Sequence, residues 1–334
     1  MSCIVDYLSY YYHYYCVPKK DYIRKNINTL NTLSNFDNLN NVNYSSTRVE
    51  IDNTYDLLFT IFKNASSKLN IVLHEIYNNG ISINNKNRAN IFLYNNKIYK
   101  INNVYDIKKY LSIIHTIRNY NIKNVIVPEN IYYNKLQNEI VQIYTYYPHG
   151  DLFDYYVNSK LSYDNKLHLY KLIINIVSNL HNNGIAHRDL KLENFLIYYN
   201  ESNKVDIILI DLDYCVFINK NDNFIGGTPQ YACYEILNDK SIDNWCGADI
   251  WSLCIILYIF LFNEFPWNNS HINEITFIKY IDNYTDDFWH NKVQHLNIPE
   301  EHKIVYSKIF NYGFGLNCSE RIDINYIKKL LDAI

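Results

Sequence analysis

His187-Arg188-Asp189-Leu190-Lys191-Leu192-Glu193-Asn194 decides the reading of this chain, together with Asp211-Leu212-Asp213 downstream. One acid, Asp189, stands five positions before an amide, Asn194. A second acid, Asp211, closes the apolar run Ile207-Ile208-Leu209-Ile210, which has the length and composition of a buried strand. The three side chains offer a base for a hydroxyl nucleophile and two hard oxygen donors for a divalent cation. That inventory suits phosphoryl transfer.

The stretch resembles the catalytic signature of the eukaryotic-type protein kinases, of the serine/threonine type. The resemblance runs over residues 70–330. Gly227-Thr228-Pro229-Gln230-Tyr231-Ala232 is similar to the loop that receives the substrate beside the phosphoacceptor, and Cys233-Tyr234-Glu235 occupies the Ala-Pro-Glu position, keeping only its glutamate. Asp249-Ile250-Trp251-Ser252-Leu253 resembles the start of the helix whose acid holds the catalytic loop.

The resemblance implies an α+β, bilobal fold, with a small, mainly β N-lobe and a larger, mainly α C-lobe. Residues 1–60 form an extension without clean periodicity, 61–145 the N-lobe and 146–334 the C-lobe. Leu69–Leu73, Ala89–Tyr94 and Lys97–Ile101 read as strands, with Asn95-Asn96 as a hairpin turn. Ile107–Ile117 has helical spacing, Val125–Val127 and Ile140–Tyr144 return to strand, and Tyr163–Asn182 is a long amphipathic helix.

By the same resemblance, Asp189 is the catalytic base, Lys191 the serine/threonine-type lysine beside it, and Asn194 and Asp211 the magnesium ligands. Arg188 braces the activation segment. Glu235 and Arg321 form an ion pair that locks the large lobe. Lys100 contacts the α- and β-phosphates, with Lys97 as a weaker alternative. Tyr144 is the gatekeeper, Tyr146 lies in the hinge, and Asp151 binds ribose or, with Glu193, reads an arginine of the substrate. The cofactors implied are ATP and Mg²⁺ or Mn²⁺, and the partner is a protein substrate.

The chain also departs from the pattern. The phosphate loop's glycine positions fall on Asn84, Lys86 and Ala89, ahead of Ile91. Backbone amides close on a phosphate best where no side chain intervenes, so this loop is degenerate. The helix from Ile107 carries no glutamate for Lys100, and Ile113 stands where one belongs. Asp213 replaces the glycine of Asp-Phe-Gly; paired with Lys100 or set in the metal shell, it would partly replace that glutamate. Two functions therefore stay open: an active serine/threonine kinase, or a pseudokinase that binds nucleotide or scaffolds a partner.

The segment Tyr214–Gly227 has no serine or threonine and, apart from Tyr214 itself, no phosphoacceptor, so activation without loop phosphorylation is expected, with Asp222 as a fixed anion for Arg188.

Composition narrows the setting. Across 334 residues the formal net charge is −3, which gives no basic field for nucleic acid or an anionic membrane. Seven cysteines, odd in number and never spaced as C-x-x-C, read as reduced thiols in a cytoplasmic protein. The strongly apolar run Leu253–Phe262 is about half a membrane span. Tyrosine (35) is abundant while glycine (8) is scarce, which fits AT-rich coding drift. The retained Gly150, Gly184, Gly226, Gly227 and Gly247 are expected at turns that tolerate little else.

Overall fold

The computed structural model describes residues 75–76, 78–84, 89–103, 106–134, 139–220, 226–271, 273–283 and 287–334. The extension 1–60, the expected strand Leu69–Leu73, Lys86 and Asp222 lie outside the described residues. Two compact units separate, and each is described by itself. Among the described residues the smaller contains 75–103 and 128–146, and the larger 106–127 and 147–334.

The smaller unit is an antiparallel sheet of five strands: β1 (Ile81–Asn84), β2 (Ala89–Tyr94), β3 (Lys97–Asn103), β4 (Asn130–Asn134) and β5 (Glu139–Thr145), in the order β1-β2-β3-β5-β4. Asn95 and Asn96 take φ of 49° and 58°, the left-handed pair that a two-residue hairpin turn needs. Side chains alternate across the pleat, so one face carries Phe92, Ile101 and Val141, buried with Ile76 and covered by Tyr94, Tyr99 and Tyr132. The strand β4 gives no distinct signal in the sequence. Conversely, the strand expected at Val125–Val127 is reduced to one bridge, Val125 to Leu209.

The larger unit begins with α1 (Ile107–Asn119), whose N-cap Asp106 accepts the Lys109 N–H at 3.0 Å. Division by chain order at residue 145 assigns α1 to the small lobe. Its packing groups it with the larger unit instead. Next come α2 (Leu152–Asn158), α3 (Tyr163–Asn182), the short strand β6 (Ile185–Ala186), the hairpin β7 (Phe195–Tyr199) with β8 (Val205–Leu209), and β9 (Val216–Phe217), paired with β6. Helices α4 (Tyr234–Leu237), α5 (Trp245–Phe262), α6 (Ile275–Asn283), α7 (Phe288–Gln294), α8 (Glu300–Gly313) and α9 (Ile324–Asp332) complete it.

Helix α5 is long and apolar enough to cross a membrane, yet 83% of it is buried inside the protein. It is the core helix, against which α3 and α8 pack. Trp251 sits at its centre, edge-on to Phe314 and Phe277. Gly150, Gly184 and Gly227 have positive φ, as expected of turn glycines, whereas Gly226 and Gly247 do not. Gly247 is helical, and it is glycine for space: an added Cβ would lie 2.1 Å from the Cys318 carbonyl oxygen.

Candidate active site

The catalytic loop follows β6 and is held from below by α5. Asp249, fully buried, accepts the backbone N–H of His187 at its Oδ2 and that of Arg188 at its Oδ1, both at 2.7 Å. Burial alone would raise the pKa of this carboxyl. The hydrogen bond from His181, at 2.9 Å, and the neighbouring positive and N–H groups outweigh burial and hold it below the ordinary value. This grip fixes Arg188 at φ 72°, a conformation that L-residues adopt at a cost. The next residue, Asp189, is thereby set.

Asp189 is buried and engaged on both oxygens. Its Oδ1 accepts from the Thr228 hydroxyl at 2.8 Å, and its Oδ2 from Lys191 Nζ at 2.6 Å. Lys191 also donates to Thr228 Oγ1 at 2.8 Å, closing a three-residue ring. Burial works against the Lys191 ammonium, but the Asp189 charge and hydrogen bond, with Glu193 and Asp211, raise its pKa above the ordinary lysine value. Lys191 is therefore a cation at neutral pH, aimed at the carboxylate expected to act as base.

Asn194 Nδ2 donates to the Asp189 carbonyl at 2.7 Å and to its Oδ2 at 3.2 Å. With its nitrogen so committed, the amide presents its oxygen as the end left for a cation. Asp211 is brought in through its neighbour Ile210. The Ile210 N–H donates to the Asn194 carbonyl at 2.9 Å, and the Ile210 carbonyl meets His187 Nε2 at 3.1 Å. Asp211 itself has φ 67°. The structure thus brings Asp189, Lys191 and Asn194 into direct contact and anchors Asp211 beside them. Sequence reasoning does not single out Thr228 as a site residue; the Gly-Thr-Pro loop that holds it is the available signal.

The donor set fits magnesium. Among the described residues no group of three His, Cys, Asp or Glu side chains could hold a metal. A carboxamide oxygen and a carboxylate, completed by phosphates and water, are what a small hard cation accepts.

Asp213 is half-buried in the turn Leu212–Tyr214. Burial raises the Cys215 thiol's pKa well above its ordinary value, and the charges of Asp249, Asp211 and Asp213 push it further. Asp151 caps α2, accepting the Asp154 N–H at 2.8 Å, and burial pushes its pKa up to about 6, with Asp154 and Glu193 adding to the shift.

The other expected residues lie in the smaller unit. Register pairs Ile91 with Lys100, Lys100 with Gln142, Ala89 with Asn102, and Tyr144 with Ile98. Ile91, Lys100 and Tyr144 therefore share one face of the sheet. Lys97 is on the opposite face, in an ion pair with Glu129 at 2.5 Å. Of the two lysines, Lys100 is the one on the Ile91 face. The Tyr144 hydroxyl donates to Gln142 Oε1, and Gln142 Nε2 to Asn102 Oδ1 at 2.9 Å, a buried polar chain along that face. Asn84 ends β1 and Tyr146 follows β5, half-buried. Ile113 is fully buried, and the buried face of α1 (Tyr110, Leu111, Ile113, Ile114, Ile117) carries no acid.

The Glu235–Arg321 pair is present. Arg321 Nη2 reaches both carboxylate oxygens, its Nη1 the Gly247 carbonyl at 2.9 Å and its Nε that of Gly315 at 2.8 Å.

The loop that carries Asp189, Lys191 and Asn194 has the geometry of a protein kinase domain. The protein kinase domain family matches residues 79–330, and the chain belongs to that family. It is 29% identical over 231 residues to the SNF1-related protein kinase catalytic subunit alpha KIN12 of Arabidopsis thaliana, covering 68% of this chain and 43% of that protein. It is 30% identical over 183 residues to CBL-interacting protein kinase 5 of Oryza sativa subsp. japonica (54% and 38%). CBL-interacting serine/threonine-protein kinase 10 of Arabidopsis thaliana is likewise 30% identical over 183 residues (54% and 36%). The chain spans about two fifths of the length of these relatives.

Proposed function

We propose that this chain is an active serine/threonine protein kinase that transfers the γ-phosphoryl group of ATP to protein hydroxyls. The observation that carries the reading is the ring of Asp189, Lys191 and Thr228 with Asn194 at its edge. Asp189 accepts the proton of the substrate hydroxyl as the oxygen attacks. Lys191, held cationic, offsets negative charge beside it, and Thr228 fixes the carboxylate's orientation. Asn194 and Asp211 hold Mg²⁺ or Mn²⁺ through oxygen. When bound with the nucleotide, the metal supplies neutralisation of the phosphate charge. Lys100 and Tyr146 serve the nucleotide, with Asn84, Lys86 and Ala89 as a loop that has lost its glycines. Five free cysteines among the described residues support a reducing, cytoplasmic setting.

The test is transfer from γ-labelled ATP to dephosphorylated casein, with Mg²⁺ or Mn²⁺, comparing wild type with Asp189→Asn. Turnover should fall by roughly 10²–10⁴-fold in the variant, while the thermal shift on adding ATP and metal is retained. A second reading, a nucleotide-binding pseudokinase, draws on Ile113 and the acid-free buried face of α1. A wild type that shifts with nucleotide and never labels casein would establish it.

A further inference from the structure

The residue that immediately precedes the proposed base is held twice by one helix. Arg188 is 4% exposed, and its guanidinium carbon lies 4.0 Å from the centroid of the Trp245 ring. Trp245 opens α5 and is itself 5% exposed. Asp249, which accepts the Arg188 backbone N–H at 2.7 Å, lies one helical turn further along α5. Residues four apart share a helix face. One turn of α5 therefore grips Arg188 at both ends, main chain by a carboxylate and side chain by an indole.

We propose that Trp245 is a positioning residue that keeps Arg188 seated, and so keeps Asp189 aimed, in place of a phosphate on the activation segment. The inference rests on reading the loop as an active phosphotransfer site. A guanidinium is flat and weakly hydrated, so it can leave water for an aromatic face where an ammonium would not. The segment that would otherwise supply a phosphate, Tyr214–Gly227, contains no serine or threonine, and Tyr214 is its one hydroxyl-bearing side chain. The φ of 72° at Arg188 gives the seat its consequence. A left-handed residue relaxes easily once its side chain is released, and relaxation there rotates the next residue.

The experiment is a double-mutant cycle in the full chain, with two readouts. The first is kcat and KM for ATP, using γ-labelled ATP, Mg²⁺ and dephosphorylated casein. The second is amide hydrogen exchange of the segment 187–189, which needs no turnover. Trp245→Ala should lower kcat at least tenfold with KM for ATP within twofold, and Trp245→Phe should recover most of it. Arg188→Lys keeps the charge and loses the plane; it should match Trp245→Ala, and the double variant should be no worse than either. Exchange at 187–189 should quicken in Trp245→Ala and Arg188→Lys but not in Trp245→Phe. Phosphatase treatment of wild type should change nothing.

Additive losses, equal losses in Trp245→Ala and Trp245→Phe, unchanged exchange, or phosphatase-sensitive turnover would each overturn the proposal. If wild type labels no casein, the activity reading fails, and the exchange pattern alone decides whether Trp245 seats Arg188.

Discussion

Arg321 and Glu235, eighty-six positions apart in sequence, meet in the interior of the larger unit, with Nη2 at 2.7 and 2.6 Å from the two carboxylate oxygens. The guanidinium also lies over the Trp251 ring, with its carbon 4.9 Å from the centroid. Every polar end of the pair is used, which is the condition under which a buried ion pair is tolerable. Removing one partner should therefore cost more than removing both. Arg321→Ala is expected to destabilise by about 3–5 kcal/mol, because it strands a buried carboxylate. Arg321→Met with Glu235→Met should cost clearly less. Urea unfolding of the wild type and the two variants checks the order.

Thr228 donates to Asp189 and accepts from Lys191, so its hydroxyl links the two charged groups of the site. Thr228→Ser keeps that link and should retain most of kcat. Thr228→Val, similar in shape, loses a hydrogen bond to a charged group and should lower kcat by roughly 10–100-fold at unchanged KM for ATP. A large fall in the serine variant would show that the methyl group, not the hydroxyl, matters.

Asp151 supplies a pH signature. Its folded pKa, pushed up to about 6 mainly by burial, exceeds the ordinary 3.8, so folding favours the protonated form. The carboxylate thus opposes folding increasingly as pH rises from about 4 through about 6, and the effect is constant above that. An asparagine in its place would cap α2 equally well and carry no charge. Asp151→Asn should therefore raise Tm at pH 8 and leave it unchanged at pH 4. Thermal melts across that range measure it, and a variant less stable at pH 8 contradicts the sign.

Gly247 inverts the usual helix rule. Alanine is favoured over glycine in a helix interior by about 1 kcal/mol. Here, however, the new Cβ would lie 2.1 Å from a main-chain oxygen that cannot swing aside. Gly247→Ala should be net destabilising, on the order of 1–3 kcal/mol. Its Tm against that of an exposed helix substitution such as Tyr326→Ala provides the comparison.

Sequence exposes what local patterning encodes. The long helix is legible to its ends because Ser162 caps it and its apolar residues keep helical spacing. The Asn95-Asn96 hairpin declares its register, and with it the face that Lys100 occupies. The spacing of Asp189, Asn194 and Asp211 is visible because short loops leave those residues few places to go. What stays hidden is non-local. Nothing near Trp245 announces a guanidinium from the loop after α3, and Gly247 reads as a turn residue until Cys318 is seen against it. Helix α1 looks like part of the small lobe in chain order, although it groups with the larger unit. Strand β4 escapes notice because its Asn and Tyr residues match the composition of the surrounding loops.

Helix α5 has no solvent face from Gly247 to Phe260. Most surface helices absorb change on one side, so tolerance along them rises and falls with every turn. A saturation scan of α5 should show no such rhythm, only an unbroken band of intolerance. The same band explains why asparagine, so common elsewhere in this chain, is missing throughout the helix: codon bias can rewrite a surface, but it halts where every side chain is already spoken for.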